Sequence, residues 1–300
     1  MRIGAVFPQT EIGSDVGGLR AYAQALQDMD FVDLLAFDHV LGASAAHYDS
    51  ASLKGGYREN DMFHEPMVLF GFLAGIAPKL SFATSVLILP QRQTVLAAKQ
   101  AAEVDLLCGG RLRLGIGTGW NPVEYEGLGV PFTERAARQE EQIRLMRELW
   151  TKPIVNFNGK YHRVTEAGIN PMPVQRPIPI WLGGMADAVL RRVATLADGW
   201  FPVFPTLSGL KTRSMPQTDE TPQVIVDRMR GYARAAGRDP AMIGINGTFL
   251  YGDGSPEPWH HILETYRSIG ATHASINTMG SGLRGADAHI AALRRFKESL

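Results

Sequence analysis

Residues 80–119 read LSFATSVLILPQRQTVLAAKQAAEVDLLCGGRLRLGIGTG, and one full period of the fold is contained in them. Leu80 to Leu89 is a strand-like apolar run. A helical segment follows, with Val95, Ala98, Ala102 and Leu106 recurring at three- and four-residue steps, and Gly109-Gly110 stops it. Leu112 to Ile116 is strand-like again. Strand, helix and strand in this order force a crossover connection and therefore parallel pairing.

The same alternation extends in both directions. Upstream, Ile3 to Phe7 is ended by Pro8, and a helix follows through Leu19, Tyr22, Leu26 and Met29. The next strand, Phe31 to Phe37, ends at Asp38-His39. A long polar stretch with Gly42, Gly55 and Gly56 precedes the apolar segment Pro66 to Ile76, and long connections in compact folds usually carry function. Downstream, Gly117-Thr118-Gly119 leads to a helix from Thr133 to Trp150, buried through Ile143, Met146 and Leu149. Val155 to Val164 reads as an inserted hairpin, because Asn158-Gly159 supplies the positive φ angles of a tight turn. Strands Ile178–Leu182, Trp200–Phe204, Ile243–Leu250 and Thr272–Asn277 follow, separated by helices and by a polar loop from Thr206 to Pro222. Eight such units predict an α/β fold, a (β/α)8 TIM barrel forming a single domain over residues 1–300, with insertions in the loops after strands 2 and 4. A doubly wound open sheet is the alternative.

Thirty basic and thirty acidic side chains give a formal charge of zero, which argues against a nucleic-acid footprint, since neutralising many phosphates needs a basic excess. No apolar run approaches the roughly 20 residues that a membrane span requires. Cys108 is the one cysteine, so no internal disulfide can form, and it reads as a small buried side chain at a helix end. The start Met1-Arg2-Ile3-Gly4 leads at once into an apolar stretch too short for a signal peptide, so a cytoplasmic protein with a small-molecule substrate is expected.

Chemistry in a barrel of this kind sits at the C-terminal ends of the strands. That rule selects Pro8 and Gln9, Asp38 and His39, Ser85 to Pro90, Gly117 to Asn121, Gly183 and Gly184, Pro202 and Asn277. Asp38-His39 is the acid/base candidate, because imidazole titrates nearest neutrality and an adjacent carboxylate can orient it; a helix cap beside a surface histidine is the bland alternative. The other seven histidines lack such placement, and no HExxH or Cys/His cluster suggests a metal. Gly183-Gly184 before a helix can aim backbone N–H groups at a phosphate, or serve as an ordinary turn. Gly115 to Gly119 is not a dinucleotide fingerprint, since position 122 is Pro and the stretch follows the fourth strand; its glycines would let a flat ligand approach. Trp120, Asn121, Glu124 and Tyr125 are either walls of that site or loop anchors. No G-x-S-x-G occurs to suggest a serine hydrolase.

These residues carry a resemblance. The runs Ala97 to Asp105 and Gly109 to Trp120, with Glu124-Tyr125 and Leu128-Gly129-Val130, are similar to the central signature of the bacterial luciferase-like monooxygenase superfamily. Asp38-His39, Leu149-Trp150 and Pro179 to Gly184 extend the similarity over most of residues 1–205, and the details resemble its F-420-dependent oxidoreductases most. The resemblance implies a barrel binding coenzyme F-420, or alternatively FMN, at the strand C-termini. It implies a backbone bulge, often with a non-proline cis peptide, at Ser85-Val86 supporting the cofactor ring. Gly117, Thr118 and Gly119 would line the cofactor, Gly183 and Gly184 would hold its phosphate, and His39 or Asp38 would lie beside its reactive face. With F-420, hydride would pass to or from a small organic substrate while His39 carries the proton. With reduced FMN and O2 the reaction would be monooxygenation, which needs a separate cofactor reductase. The resemblance also allows a homodimer. Two other readings are a non-catalytic flavin-binding protein and a barrel enzyme acting on phosphorylated sugars without flavin.

Overall fold

The computed structural model describes residues 1–44, 46, 57–208 and 220–300. Parts of the polar loops expected at 41–65 and 206–222, Gly55 and Gly56 included, lie outside the described residues.

In chain order the first strands are β1 (Arg2–Val6), β2 (Asp33–Ala36), β3 (Ser81–Thr84), β4 (Leu87–Ile88) and β5 (Leu112–Gly117). A hairpin of β6 (Val155–Asn158) and β7 (Arg163–Ala167) precedes β8 (Ile180–Gly183), β9 (Gly199–Phe201), β10 (Gly244–Leu250) and β11 (His273–Asn277). β1 pairs with β2, β2 with β3, β3 with β5, and so on through β8, β9, β10 and β11 back to β1. Every one of these pairings is parallel, so the sheet closes into an eight-stranded TIM barrel. The extra strand β4 pairs only with the upper part of β5, Leu87 opposite Ile116 and Ile88 opposite Gly117.

The connections are α1 (Val16–Asp28), α2 (Pro66–Ala74), α3 (Thr94–Leu107), α4 (Pro122–Gly127), α5 (Arg135–Thr151), α6 (Asp187–Leu196), α7 (Pro205–Ser208), α8 (Pro222–Ala235), α9 (Pro256–Ser268) and α10 (Gly285–Glu298). Local chemistry starts several of them. Asp15 caps α1 by accepting from the amides of Gly17 and Gly18, at 3.3 and 2.8 Å. Prolines open α2, α8 and α9, where the missing N–H would have had no partner.

Two expectations need correction. The strand expected from Leu80 to Leu89 is interrupted by a cis Ser85–Val86 bond, resumes as β4 and ends in a single 3-10 turn, Leu89–Gln91. The buried face of α3 is set by small side chains, Ala97, Ala98, Ala101 and Ala102, which let the helix lie close to its neighbours, while Val95 and Leu106 are exposed. After the fourth barrel strand α4 stands at the strand end, and the β6–β7 hairpin follows α5, the order expected from the sequence.

Side chains alternate between the two sides of the barrel wall. Leu34 and Ala36 of β2 join the layer under the helices, whereas Leu35 joins Val6, Ala83, Trp181 and Phe201 in a separate cluster inside the barrel. Below that cluster the interior is polar. Arg113 lies 3.2 Å from Asp33, donates to Asn246 at 3.2 and 3.3 Å, and stacks 4.6 Å above the Trp181 ring. His273 fills the remaining corner, edge-on to Trp181.

Candidate active site

Phe37, Val86 and Met279, all half-buried, pack on top of the interior cluster and form an apolar platform at the C-terminal mouth of the barrel. Val86 follows the cis bond, and the surrounding strands make room for it with glycine. A Cβ on Gly117 would stand 2.5 Å from Val86 Cγ2, and one on Gly183 would stand 2.7 Å from Val86 Cγ1. A Cβ on Gly119 would meet Ile88 Cγ2 at 2.6 Å. These glycines therefore admit the β3–β4 bulge. Ser85 is held by its amide, which donates to Ala36 O at 2.8 Å. The Thr118 carbonyl accepts the Tyr125 hydroxyl at 2.6 Å.

Gly184 has φ +117°, a region that favours glycine, and its carbonyl accepts the Trp200 indole at 2.7 Å. α6 starts three residues later with no side-chain cap, but Asp187 already places a carboxylate in its first turn. Arg191 and Tyr232 both bind that carboxylate and hold it well below the usual carboxylate range.

Asp38 and His39 diverge from the end of β2. The Asp38 carboxylate is buried and fully engaged: Arg92 donates to Oδ1 at 2.7 Å and the Ile88 amide donates to Oδ2 at 2.9 Å. Arg92 also reaches Glu65 at 3.2 Å. The pair ties the end of β2 to the start of the segment after β4. His39 enters an aromatic group instead, its ring 3.6 Å from that of Tyr57, 4.7 Å from Phe63 and 6.4 Å from Trp120. Its Nδ1 is buried without a hydrogen-bond partner, and the nearest carboxylate oxygen is Glu124 Oε1 at 3.6 Å.

Glu124 comes from α4, whose N-terminus is capped by Asn121 through the Val123 amide at 3.0 Å. Its Oε1 accepts the Val40 amide at 2.7 Å and its Oε2 accepts Gln91 Nε2 at 3.2 Å. Burial raises the Glu124 pKa, but the His39 and Tyr57 side chains and the Val40 amide outweigh it and hold the carboxyl below its ordinary value. Burial pushes the Tyr57 phenol up, so it stays protonated, and Asn121 donates to its oxygen at 3.0 Å. On the adjoining side Gln9 donates to the Phe37 carbonyl and accepts the His64 amide at 2.7 Å.

The mouth thus unites Asp38, His39, Ser85, Val86, Gly117, Thr118, Gly119 and Gly183, with Gly184 leading away from its rim. Two of the seven histidines expected to lack strand-end placement nonetheless contact residues just past a strand: His64 packs on Phe7, and His289 bonds Thr278 at 2.8 Å and lies 3.5 Å from Glu11. Tyr57, Phe63, Gln91 and Arg92 escape a sequence reading. The first two come from the long connection after β2, which has no periodicity; Gln91 and Arg92 follow Pro90 just beyond the strand-end window. Cys108 is buried at the C-terminus of α3, and burial pushes its thiol up. Among the described residues no group of three or more His, Cys, Asp or Glu side chains gathers as a metal site, and no helix is long and apolar enough to cross a membrane.

A closed parallel barrel with an apolar platform and a histidine at its C-terminal mouth defines the layout of a TIM-barrel enzyme. Residues 1–298 match the family model described as luciferase-like monooxygenase, and the chain belongs to that family. An uncharacterized protein of Mycobacterium tuberculosis is 36% identical over 200 residues, covering 60% of this chain and 67% of that one. The FMNH2-dependent dimethylsulfone monooxygenase of Pseudomonas putida is 29% identical over 232 residues, covering 76% of this chain and 60% of that one. Among solved structures, the monooxygenase RslO1 of Streptomyces bottropensis superposes with a TM-score of 0.77 at 19% identity, over 100% of this chain and 98% of that one. The coenzyme F-420-dependent tetrahydromethanopterin reductase of Methanopyrus kandleri gives 0.73 at 14% identity, with the same coverage. Both F-420 and reduced FMN therefore occur among the cofactors of proteins similar to this one.

Proposed function

We propose that this chain is an oxidoreductase that seats coenzyme F-420 across the platform of Phe37, Val86 and Met279 and transfers hydride to or from a small organic substrate, with His39 handling the accompanying proton. The observation that carries the reading is the pairing of an apolar seat with a histidine whose buried Nδ1 is unpartnered at the same mouth. The residues fit a flat redox ring: its face needs apolar support, and the proton needs a side chain, here an imidazole, that can both accept and donate it. The cofactor, when bound, supplies the hydride chemistry. The chain makes room for the bulge at Gly117, Gly119 and Gly183, lines the cofactor with the Gly117-Thr118-Gly119 turn, and offers the backbone of Gly183 and Gly184 to the phosphate. Ser85 and Asp38 keep the bulge in place rather than touch the reacting atoms. Tyr57, Phe63 and Trp120 shield His39 from water, which favours an apolar, uncharged substrate. Exposed Val68, Val95, Leu96 and Leu107 on α2 and α3 support a second copy of the chain as partner, and light scattering would read twice the chain mass of 32.8 kDa.

A second reading, monooxygenation with reduced FMN supplied by a separate reductase, is favoured by the similarity to the dimethylsulfone enzyme. Titration of the purified protein with both cofactors, oxidised and reduced, separates the two. Preferential F-420 binding supports hydride transfer, preference for reduced FMN supports monooxygenation, and binding of neither overturns both. In the preferred cofactor complex, His39→Asn should leave affinity within about twofold and lower turnover by roughly 10²–10⁴-fold, the usual contribution of a positioned acid/base.

A further inference from the structure

We propose that Glu124 is a positioning residue that fixes the tautomer of His39, keeping the proton on Nδ1 and leaving Nε2 as the atom that exchanges a proton with substrate. The inference rests on the oxidoreductase reading for its second half; its first half concerns the protein alone.

Four observations carry it. His39 Nδ1 is buried without a hydrogen-bond partner, and Glu124 Oε1 stands 3.6 Å away. A lone pair on Nδ1 would face that carboxylate and repel it, whereas an N–H there is attracted to it, and within a largely buried site the difference is weakly screened. Glu124 itself cannot turn away, since the Val40 amide and Gln91 hold its two oxygens. The carboxyl is held below its ordinary value, so it is charged across the neutral range. The His39 ring is clamped as well, against Tyr57 on its face and Phe63 at its edge, so it cannot exchange its two nitrogens without moving both. Nδ1 lies a few tenths of an ångström beyond a hydrogen bond, a gap that a small ring shift on ligand binding would close.

The arrangement places an oriented carboxylate behind a proton-transferring imidazole, the device by which a second group sets which nitrogen reacts. In the oxidative direction a substrate X–H bond gives its proton to Nε2 and the adjoining C–H bond gives its hydride to the bound cofactor, so a C=X bond forms. The imidazolium then carries its positive charge opposite Glu124. In the reductive direction Nε2–H returns the proton. Asp38, adjacent in sequence, does not take this part, because Arg92 and the Ile88 amide occupy it.

The test uses the full chain without cofactor, with the ring nitrogens labelled with ¹⁵N and the His39 signals assigned by their loss in His39→Asn. With the ring in its neutral form, the wild-type protein should show His39 protonated at Nδ1. Glu124→Gln, which keeps an oxygen at Oε1, should preserve that tautomer; Glu124→Ala should shift the ring toward Nε2–H. In the F-420 complex Glu124→Ala should lower turnover at least tenfold with cofactor affinity within about twofold. A wild-type ring protonated at Nε2, or a Glu124→Ala ring unchanged at Nδ1, overturns the proposal. The wild-type spectrum decides even where Glu124→Ala fails to fold. Failure of the cofactor reading looks different: neither F-420 nor FMN binds, while the Nδ1 tautomer is still seen.

Discussion

Asp38 and His39 are consecutive residues with opposite surroundings, and a substitution at each should be read by a different instrument. Asp38 is buried against Arg92 and the Ile88 amide, so removing its charge leaves that amide unpaired and the guanidinium with only the more exposed Glu65, 3.2 Å away, in a site that water barely reaches. Breaking one side of such a pair costs about 3–5 kcal/mol. Asp38→Ala is therefore expected to lower the urea midpoint strongly, and an unchanged midpoint would show that Arg92 is satisfied elsewhere. The sequence made both residues visible for one reason, their position just past a strand, and that reason cannot tell a residue that holds the backbone from one that meets the ligand. The distinction depends on Arg92 and Glu124, which are 54 and 86 positions from Asp38 and bear on it or its neighbour only after the barrel has closed.

At the scale of elements, the bulge between β3 and β4 and the glycines of β5 and β8 form one packing unit. Gly183→Ala puts a methyl 2.7 Å from Val86 Cγ1, and valine is too short and stiff at χ1 to swing clear cheaply. Overpacking of this kind costs roughly 1–3 kcal/mol. Val86→Ala in the same chain should recover most of that loss, and a double-mutant cycle on unfolding free energies reads the coupling; additive losses would disprove the contact. Element order was legible because buried parallel strands are apolar throughout and each is followed by a helix. The exposed side of α3 was not, because Val95 and Leu106 follow helical spacing as faithfully as the alanines that are in fact buried. Periodicity finds a helix but cannot by itself say which of two apolar stripes faces the sheet. The hairpin was legible from Asn158-Gly159. Its seat was not, since Glu141 accepts the amides of Lys160 and Tyr161 and the His162 ring from a separate helix.

Across the described residues, two buried histidines, His273 and His289, and the half-buried His162 tie stability to pH. Burial lowers His162, His273 and His289 from the ordinary 6.5, His273 to about 2. The unfolded chain takes up protons near pH 6.5 that the folded chain refuses, so their stabilisation is complete above that pH and is lost as pH falls. Each contributes a slope of about 1.4 kcal/mol per pH unit between its unfolded and folded values. Urea unfolding at pH 7 and pH 5 should show this loss, and His273→Gln should flatten it; an equal slope in wild type and variant would mean that His273 is protonated in the native state.

His273 also belongs to the polar group with Asp33, Arg113 and Asn246 that fills the lower barrel beneath Trp181. That end is a stopper, and traffic must use a single doorway. Whatever rests deepest, against Val86, has to arrive before the molecule stacked above it and depart after it. Steady-state kinetics should accordingly follow a compulsory order, with the inner ligand first in and last out.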